Sequence, residues 1–139
     1  MINEYLSFFR YQYPFLYLKI GGVNLDQRKI NRTVRKFSDL IERNKDRRAY
    51  SDYKEGVNEG LEMAKDTFEE NVGNFLSPVS DEDPTVKVQS LQDRFNRIID
   101  TIVVKEKPNY SQDHLDGIYE GFEKSKKLFG ECINEYYNP

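Results

Sequence analysis

Two pairs of glutamates, each spaced three residues apart, are the residues whose type and spacing first suggest chemistry. Glu59 and Glu62 form one pair, and Glu120 and Glu123 form the other. Carboxylates at this spacing share a helix face, and helical metal sites use such pairs when they project into the bundle. On a helical wheel both pairs point away from the apolar stripe of their own helix. We therefore expect all four glutamates to face solvent, and we predict no metal and no cofactor.

The doubled E-x-x-E pattern resembles that of the all-α nucleotide pyrophosphatases, and this resemblance implies a metal-dependent hydrolase. The two pairs here lie about 60 residues apart. That separation differs from the single, closer-spaced helical hairpin of the family. A hydrolase is accordingly the third of the functions considered, and the sequence is assigned to no family.

The remaining reactive residues are few. His114 is the only histidine and Cys132 the only cysteine. Histidine-based triads and zinc sites are nearly excluded by this count, and no intrachain disulfide can form. We predict a surface or capping role for His114, a buried and inert thiol at Cys132, and no enzymatic activity.

A basic face is the first feature that suggests recognition of a macromolecule. It lies opposite the apolar stripe of segment 25–47 and consists of Arg28, Arg32, Arg35, Lys36 and Arg43. A helix with such a face can lie against phosphates, so a nucleic-acid-binding module is the alternative function. The net charge of −3 provides no general attraction to nucleic acid. The second half of the chain keeps only Arg94 and Arg97 at the matching place.

Aromatic residues near the N-terminus are the second such feature. Seven of the nineteen aromatic residues fall within residues 5–17, and one helix face cannot bury them all. Tyr5, Phe8 and Tyr11 are therefore candidates for a partner-binding or self-association surface. In the other interpretation, this segment closes the open end of the helical core.

The elements that would position these residues are helices. Apolar residues recur at helical spacing in segments 2–13, 25–47, 51–76, 84–106 and from 111 almost to the C-terminus. Ser51 and Asp83 are predicted N-caps, and Pro84 suits the first position of a helix. Residues 15–20 are short and apolar, and the pattern does not decide between a strand and a buried connector.

An internal repeat organises these helices. Residues 56–70 align without a gap on residues 117–131, with seven identical positions out of fifteen. Upstream the match is weaker, and we align Ile30-Asn31-Arg32 with Phe95-Asn96-Arg97. In each half a basic helix precedes an acidic one. This pattern predicts a tandem duplication of one helical hairpin.

Glycines recur in the repeat at positions where they are costly. Gly56 and Gly60 correspond to Gly117 and Gly121, and each glycine inside a helix costs about 1 kcal/mol relative to alanine. Small residues four apart let two helices approach closely. We expect the two second helices to pack on each other along these glycines. The alternative is that the glycines face outward and receive a partner's helix.

The predicted fold is all-α, with a four-helix bundle-like core formed by two hairpins and an additional N-terminal helix. One domain is expected over residues 1–139, divided into the N-terminal helix and connector (1–24), the first hairpin (25–76), a linker (77–84) and the second hairpin (85–139). The N-terminus lacks the features of a signal peptide, and no apolar run reaches the roughly 18 residues of a membrane-spanning helix. We expect a cytoplasmic protein.

The leading functional hypothesis is a non-enzymatic interaction protein that binds and modulates or inhibits a protein partner. Phage and mobile-element inhibitors, including anti-defence proteins, are often small, charged helical proteins of this kind. A homodimer is a second candidate assembly. The predicted partner-binding residues are Tyr5, Phe8, Tyr11, Gly56, Glu59, Gly60, Glu62, Gly117, Glu120, Gly121 and Glu123.

Overall fold

The computed structural model describes residues 27–48, 50–77 and 83–137. Within these ranges every regular element is an α-helix, which confirms the predicted all-α class. The N-terminal helix and the undecided segment 15–20 lie outside the described residues, as does most of the predicted linker.

Five helices occupy the described ranges. They are α1 (Gln27–Asn44), α2 (Asp52–Glu70), α3 (Val72–Phe75), α4 (Pro84–Asp100) and α5 (Gln112–Tyr137). The chain forms two compact units, 1–32 and 33–139. Of the first unit, the structure describes only the opening turns of α1, residues 27–32. The packing below concerns the second unit.

The predicted helix starts are confirmed by their caps. The Ser51 side chain accepts a hydrogen bond from the backbone N–H of Lys54 (3.2 Å), and Asp83 accepts one from Thr85 (2.9 Å). Ser111 caps α5 in the same way, accepting from the backbone N–H of His114. Each side chain satisfies a backbone donor that has no partner inside its helix.

Helix α4 ends about six residues earlier than the sequence predicts. Its last residue is Asp100, and the four residues that follow are Thr-Ile-Val-Val. Residues branched at Cβ lose side-chain freedom in a helix, so four in a row disfavour its continuation. The Thr101 hydroxyl and backbone N–H both donate to the carbonyl of Ile98 and close the last turn.

Helices α2 and α5 form the most extensive helix contact in the second unit. Gly56 lies opposite Gly117 and Gly60 opposite Gly121, so contacts advance in step and the two helices run in the same direction. The contacts are reciprocal. A Cβ on Gly56 would lie 2.1 Å from the carbonyl oxygen of His114, and a Cβ on Gly117 would lie 2.1 Å from that of Tyr53. The predicted packing of the two helices along their glycines is confirmed.

Four phenylalanines fill the centre of the second unit, one from each long helix. Phe37, Phe68, Phe95 and Phe129 have no solvent exposure. The ring centroids of Phe37 and Phe68 lie 5.1 Å apart, and those of Phe95 and Phe129 lie 4.1 Å apart. The cross-pairs Phe37–Phe129 and Phe68–Phe95 measure 6.0 and 6.3 Å. Phe37 and Phe68 meet edge to face, whereas Phe95 and Phe129 stack, and Phe75 of α3 packs beside them.

The central phenylalanines favour a corrected alignment of α1 with α4. Phe37 occupies in the first hairpin the place that Phe95 occupies in the second, whereas the sequence alignment set Ile30 opposite Phe95. In the corrected register Ile41 matches Ile99, and both are fully buried. Helix packing depends on the position of the large buried side chains, which favours this register over the alignment by weak identities. The duplication of the hairpin itself stays a prediction.

Candidate functional site

A cluster of two carboxylates and two lysines lies between α1 and α2. We call it the first cluster, and it consists of Glu42, Lys45, Glu62 and Lys65. Lys45 contacts both glutamates, at 2.8 Å from Glu42. Lys65 lies 3.0 Å from Glu42 and 3.3 Å from Glu62. Each glutamate thus contacts both lysines.

The first cluster perturbs the acidity of its carboxyl groups. Hydrogen bonds from Lys45 and then Lys65 lower the pKa of Glu42 from 4.5 to about 2. A hydrogen bond from Lys45 also lowers the pKa of Glu62. A positive neighbour favours the charged carboxylate. These glutamates are therefore ionised and paired, which suits them to hold the hairpin together.

The corresponding cluster between α4 and α5 contains one lysine. In this second cluster, Lys126 lies 2.6 Å from Asp100 and 2.7 Å from Glu123. Asp100 matches Glu42 in the corrected register, and Glu123 and Lys126 match Glu62 and Lys65 in the repeat. The carboxylate side chains are 63% and 62% exposed, against 43% and 40% in the first cluster. Two carboxylates thus share one lysine and remain open to water.

A third polar group joins the start of α5 to α2. Glu59 accepts a hydrogen bond from the Tyr110 hydroxyl and lies 3.0 Å from Nε2 of His114. The rings of Tyr110 and His114 stack with centroids 4.3 Å apart. The hydrogen bond to Glu59, together with burial, raises the pKa of Tyr110. His114 is therefore part of a contact between helices, in addition to its position in the first turn of α5.

All four repeat glutamates are partly or fully exposed, and three of them also bind side chains that the helical wheel does not bring together. Glu59 bonds to the start of α5, Glu62 belongs to the first cluster and Glu123 to the second. Glu120 is partly exposed, and within the described residues it makes no hydrogen bond or ion pair. The wheel placed these side chains away from their own apolar stripe, but it could not show the neighbouring lysines and tyrosine.

The glycines predicted as partner-binding residues are enclosed in the α2–α5 contact. Gly56, Gly60, Gly117 and Gly121 are all buried, and the carbonyl groups of the facing helix occupy the space beside them. The interpretation in which they receive a partner's helix is wrong for the folded chain, since that space is already filled.

An open pocket lies beside the second cluster. This Tyr119 pocket has a volume of about 360 Å³ and is lined by Ile99, Asp100, Ile102, Tyr119, Phe122 and Glu123. Tyr119 is 53% exposed, and Val103, just beyond Ile102 in the chain, is 82% exposed. The pocket therefore has apolar walls, an aromatic side chain at the surface and two carboxylates among its lining residues. Sequence reasoning did not select Tyr119 or Asp100.

The basic residues of α1 differ in their surroundings. Arg28, Arg32, Arg35 and Arg43 are exposed. Lys36 is partly buried and pairs with Glu135 of α5. In the second hairpin, Arg94 donates to the backbone carbonyls of Phe75 and Ser77 and so fixes the end of α3. Part of the predicted basic face therefore serves the fold.

The other predicted residues divide between the core and the region outside the description. Cys132 is a free thiol, buried as predicted. Tyr5, Phe8 and Tyr11 lie outside the described residues. Within the part of the chain that the structure describes, no group of three or more His, Cys, Asp or Glu side chains is placed to hold a metal ion.

Comparison with known proteins provides no match. No protein-family model, no curated protein and no solved structure matches this chain. Among the described helices, none combines the length and apolar character that crossing a membrane requires.

Proposed function

We propose that the chain is a non-enzymatic protein that binds a protein partner and modulates or inhibits it, with the Tyr119 pocket as its contact surface. The observation that carries this proposal is the exposure of large apolar side chains around the pocket. Tyrosine is enriched at binding hot spots, where it combines an apolar ring with a polar hydroxyl. An open pocket beside such a ring suits insertion of a partner side chain.

We favour a host protein as the partner, with this chain acting as its phage or mobile-element inhibitor. Small size and a charged, helical surface support this choice, because such inhibitors act by occupying a surface and need no catalytic group. The chain would then work by steric occlusion, and its effect would follow the fraction of partner bound.

Site-specific photo-crosslinking tests the proposed surface. The photoreactive residue benzoylphenylalanine replaces Tyr119 in the full chain, and replaces exposed Glu131 of α5 in the control. The chain is expressed in the organism that encodes it and irradiated, and adducts are identified by mass spectrometry. We expect one protein to be joined at position 119 and not at 131. Absence of any adduct, or the same adducts at both positions, would refute the proposal.

A nucleic-acid-binding module is the second candidate, and the exposure of Arg35 and Arg43 on α1 favours it. Asp39 lies between them on the same face and reduces the positive potential. Fluorescence anisotropy with a labelled DNA duplex and a labelled single-stranded RNA tests this function. Binding should fall steeply with salt and weaken when both arginines are replaced by glutamine. No binding of either probe at low salt would end this candidate.

A further inference from the structure

The two carboxylate–lysine clusters occupy corresponding places in the two hairpins but differ in their number of lysines. In the first cluster, Glu42 and Glu62 contact Lys45 and Lys65. In the second, Asp100 and Glu123 contact Lys126 alone. The first cluster therefore has two lysines for its two carboxylates, whereas the second has one lysine for two. The Asp66 carboxyl also lies beside Glu62 and is hydrogen-bonded to it.

The lysine that the second cluster lacks is the counterpart of Lys45. Counting from Phe37 and Phe95, the residue that corresponds to Lys45 is Val103. Helix α1 continues to Asn44, so that Lys45 follows its last turn, but α4 stops at Asp100. Within the described residues, the second hairpin thus provides no side chain that repeats the contacts of Lys45.

The Tyr119 pocket adjoins the carboxylates at this place. Asp100 and Glu123 line it together with apolar side chains of Ile99, Ile102 and Phe122. In the first hairpin, Lys45 is held by its two carboxylates with its side chain only 20% exposed. The first cluster therefore serves as an internal template for a ligand of the second.

We propose that the Tyr119 pocket binds a lysine or arginine side chain of a partner protein, which completes the second cluster as Lys45 completes the first. The proposal rests on the proposed function, because it names the chemistry that the partner brings to the same surface. The occupant is a separate protein whose contact segment carries a basic residue next to an apolar one.

Both ends of such a side chain match the pocket. Lysine and arginine bury their aliphatic stems along apolar surfaces while the charged head stays near water. Here the stem would lie along Ile102 and Phe122, and the head would bond to Asp100 and Glu123. Hydrogen bonds between a cation and a carboxylate are stronger than those between neutral groups. A tyrosine face also attracts a cation, and Tyr119 stands beside the pocket.

A random peptide library displayed on phage provides the probe. The library is selected on the immobilised full chain, and the enriched peptides are synthesised and measured by fluorescence polarisation. We expect the enriched sequences to share a lysine or arginine beside an apolar residue. Replacing that basic residue with norleucine should weaken binding about tenfold, which is the loss of about 1.4 kcal/mol.

A double variant that removes both carboxylate charges tests the site of binding. Asp100→Asn with Glu123→Gln should weaken the basic peptides about tenfold. The matched control, Asp113→Asn with Glu131→Gln, removes two exposed carboxylates elsewhere on α5 and should leave affinity within about twofold. Circular dichroism shows whether both variants keep the helical fold. If the test variant unfolds, a competition experiment replaces it. We then expect the basic peptides to reduce crosslinking of the partner at position 119.

Several outcomes would overturn the inference. These are enriched peptides without a basic residue, peptides that bind the double variant as tightly as the wild type, or no enrichment above the empty support. A wild-type dimer that the double variant dissociates, seen by light scattering, would place a second copy in the pocket instead. A crosslinked partner whose binding ignores the two carboxylates would leave the proposed function standing and remove only this inference. Enrichment of basic peptides together with no cellular adduct at position 119 would remove the proposed function and leave this inference standing.

Discussion

Gly60 and Gly121 face each other so closely that neither helix has room for a side chain at that point. A Cβ on Gly60 would lie 3.1 Å from the Cα of Gly121 and 2.2 Å from the carbonyl oxygen of Ile118. Both obstacles are backbone atoms, which cannot rotate away. The glycines therefore set the distance between α2 and α5, and through it the position of every side chain that those helices carry.

Gly60→Ala should lower the free energy of unfolding by about 2 kcal/mol, because the gain in helix propensity of about 1 kcal/mol is smaller than the cost of forcing the helices apart. Chemical denaturation measures this loss. Gly130→Ala is the control on α5, since its Cβ would meet only the end of the Gln92 side chain, at 2.6 Å. The Gln92 amide donates to Asn96 and to the Lys126 carbonyl, but a side chain can shift where backbone cannot, so we expect a change within about 1 kcal/mol. Equal losses in the two variants would contradict this account.

Tyr110→Phe should lower the free energy of unfolding by about 1 kcal/mol, because it removes the hydrogen bond to Glu59 and leaves the carboxylate with one partner fewer. Tyr50 is the matched control, since it holds the equivalent place before α2 and is 87% exposed. Tyr50→Phe should change stability by less than about 0.5 kcal/mol. Urea denaturation of both variants provides the comparison, and an equal effect would show that the contact with Glu59 contributes nothing.

The helices of the second unit could be predicted from the sequence because each long helix carries its own periodic apolar stripe, and α2, α4 and α5 also begin at polar caps. The close contact of α2 and α5 could also be predicted, since the cost of the repeated glycines required a compensating contact. The end of α4 was placed too late. The apolar stripe continues through Ile102 and predicts a longer helix, whereas the β-branched run Thr-Ile-Val-Val disfavours one.

The sequence contains a pattern that indicates the candidate site but is easily overlooked. Phe37 to Glu42 reads Phe-x-x-Leu-Ile-Glu, and Phe95 to Asp100 reads Phe-x-x-Ile-Ile-Asp. This match aligns the sequence of α1 with that of α4, and it makes Val103 the counterpart of Lys45. The Asn-Arg identity that favours the other alignment lies on the polar face, where packing imposes no position. The pocket itself lies between two helices and depends on contacts that no single stripe describes.

Cys132 should react with thiol reagents only when the chain unfolds. The side chain is buried at 2% exposure, and burial raises the pKa of its thiol to about 12. Since the thiolate is the reactive form, native protein at pH 8 should react about 100-fold more slowly with a disulfide reagent than protein in urea. The rate should rise in parallel with loss of helicity. Fast labelling of protein that keeps its full helicity would contradict the enclosed position.

Glu42 should make stability depend on pH in the acid range. Its pKa is about 2 in the folded chain and 4.5 when unpaired. Because the folded value is the lower one, the stabilisation is complete above about pH 5 and is lost as pH falls from 4.5 towards 2. Water screens the half-exposed carboxylate, so the contribution is about 1 kcal/mol. We expect Glu42→Gln to be less stable than the wild type at pH 7 by this amount, and the difference to shrink by more than half at pH 3. Urea denaturation across this range measures it.

Lys45→Met should remove part of the same acid dependence, because Lys45 provides the stronger of the two hydrogen bonds to Glu42. A difference between Glu42→Gln and the wild type that stays constant from pH 7 to pH 3 would show that the first cluster does not hold this carboxylate in its charged form.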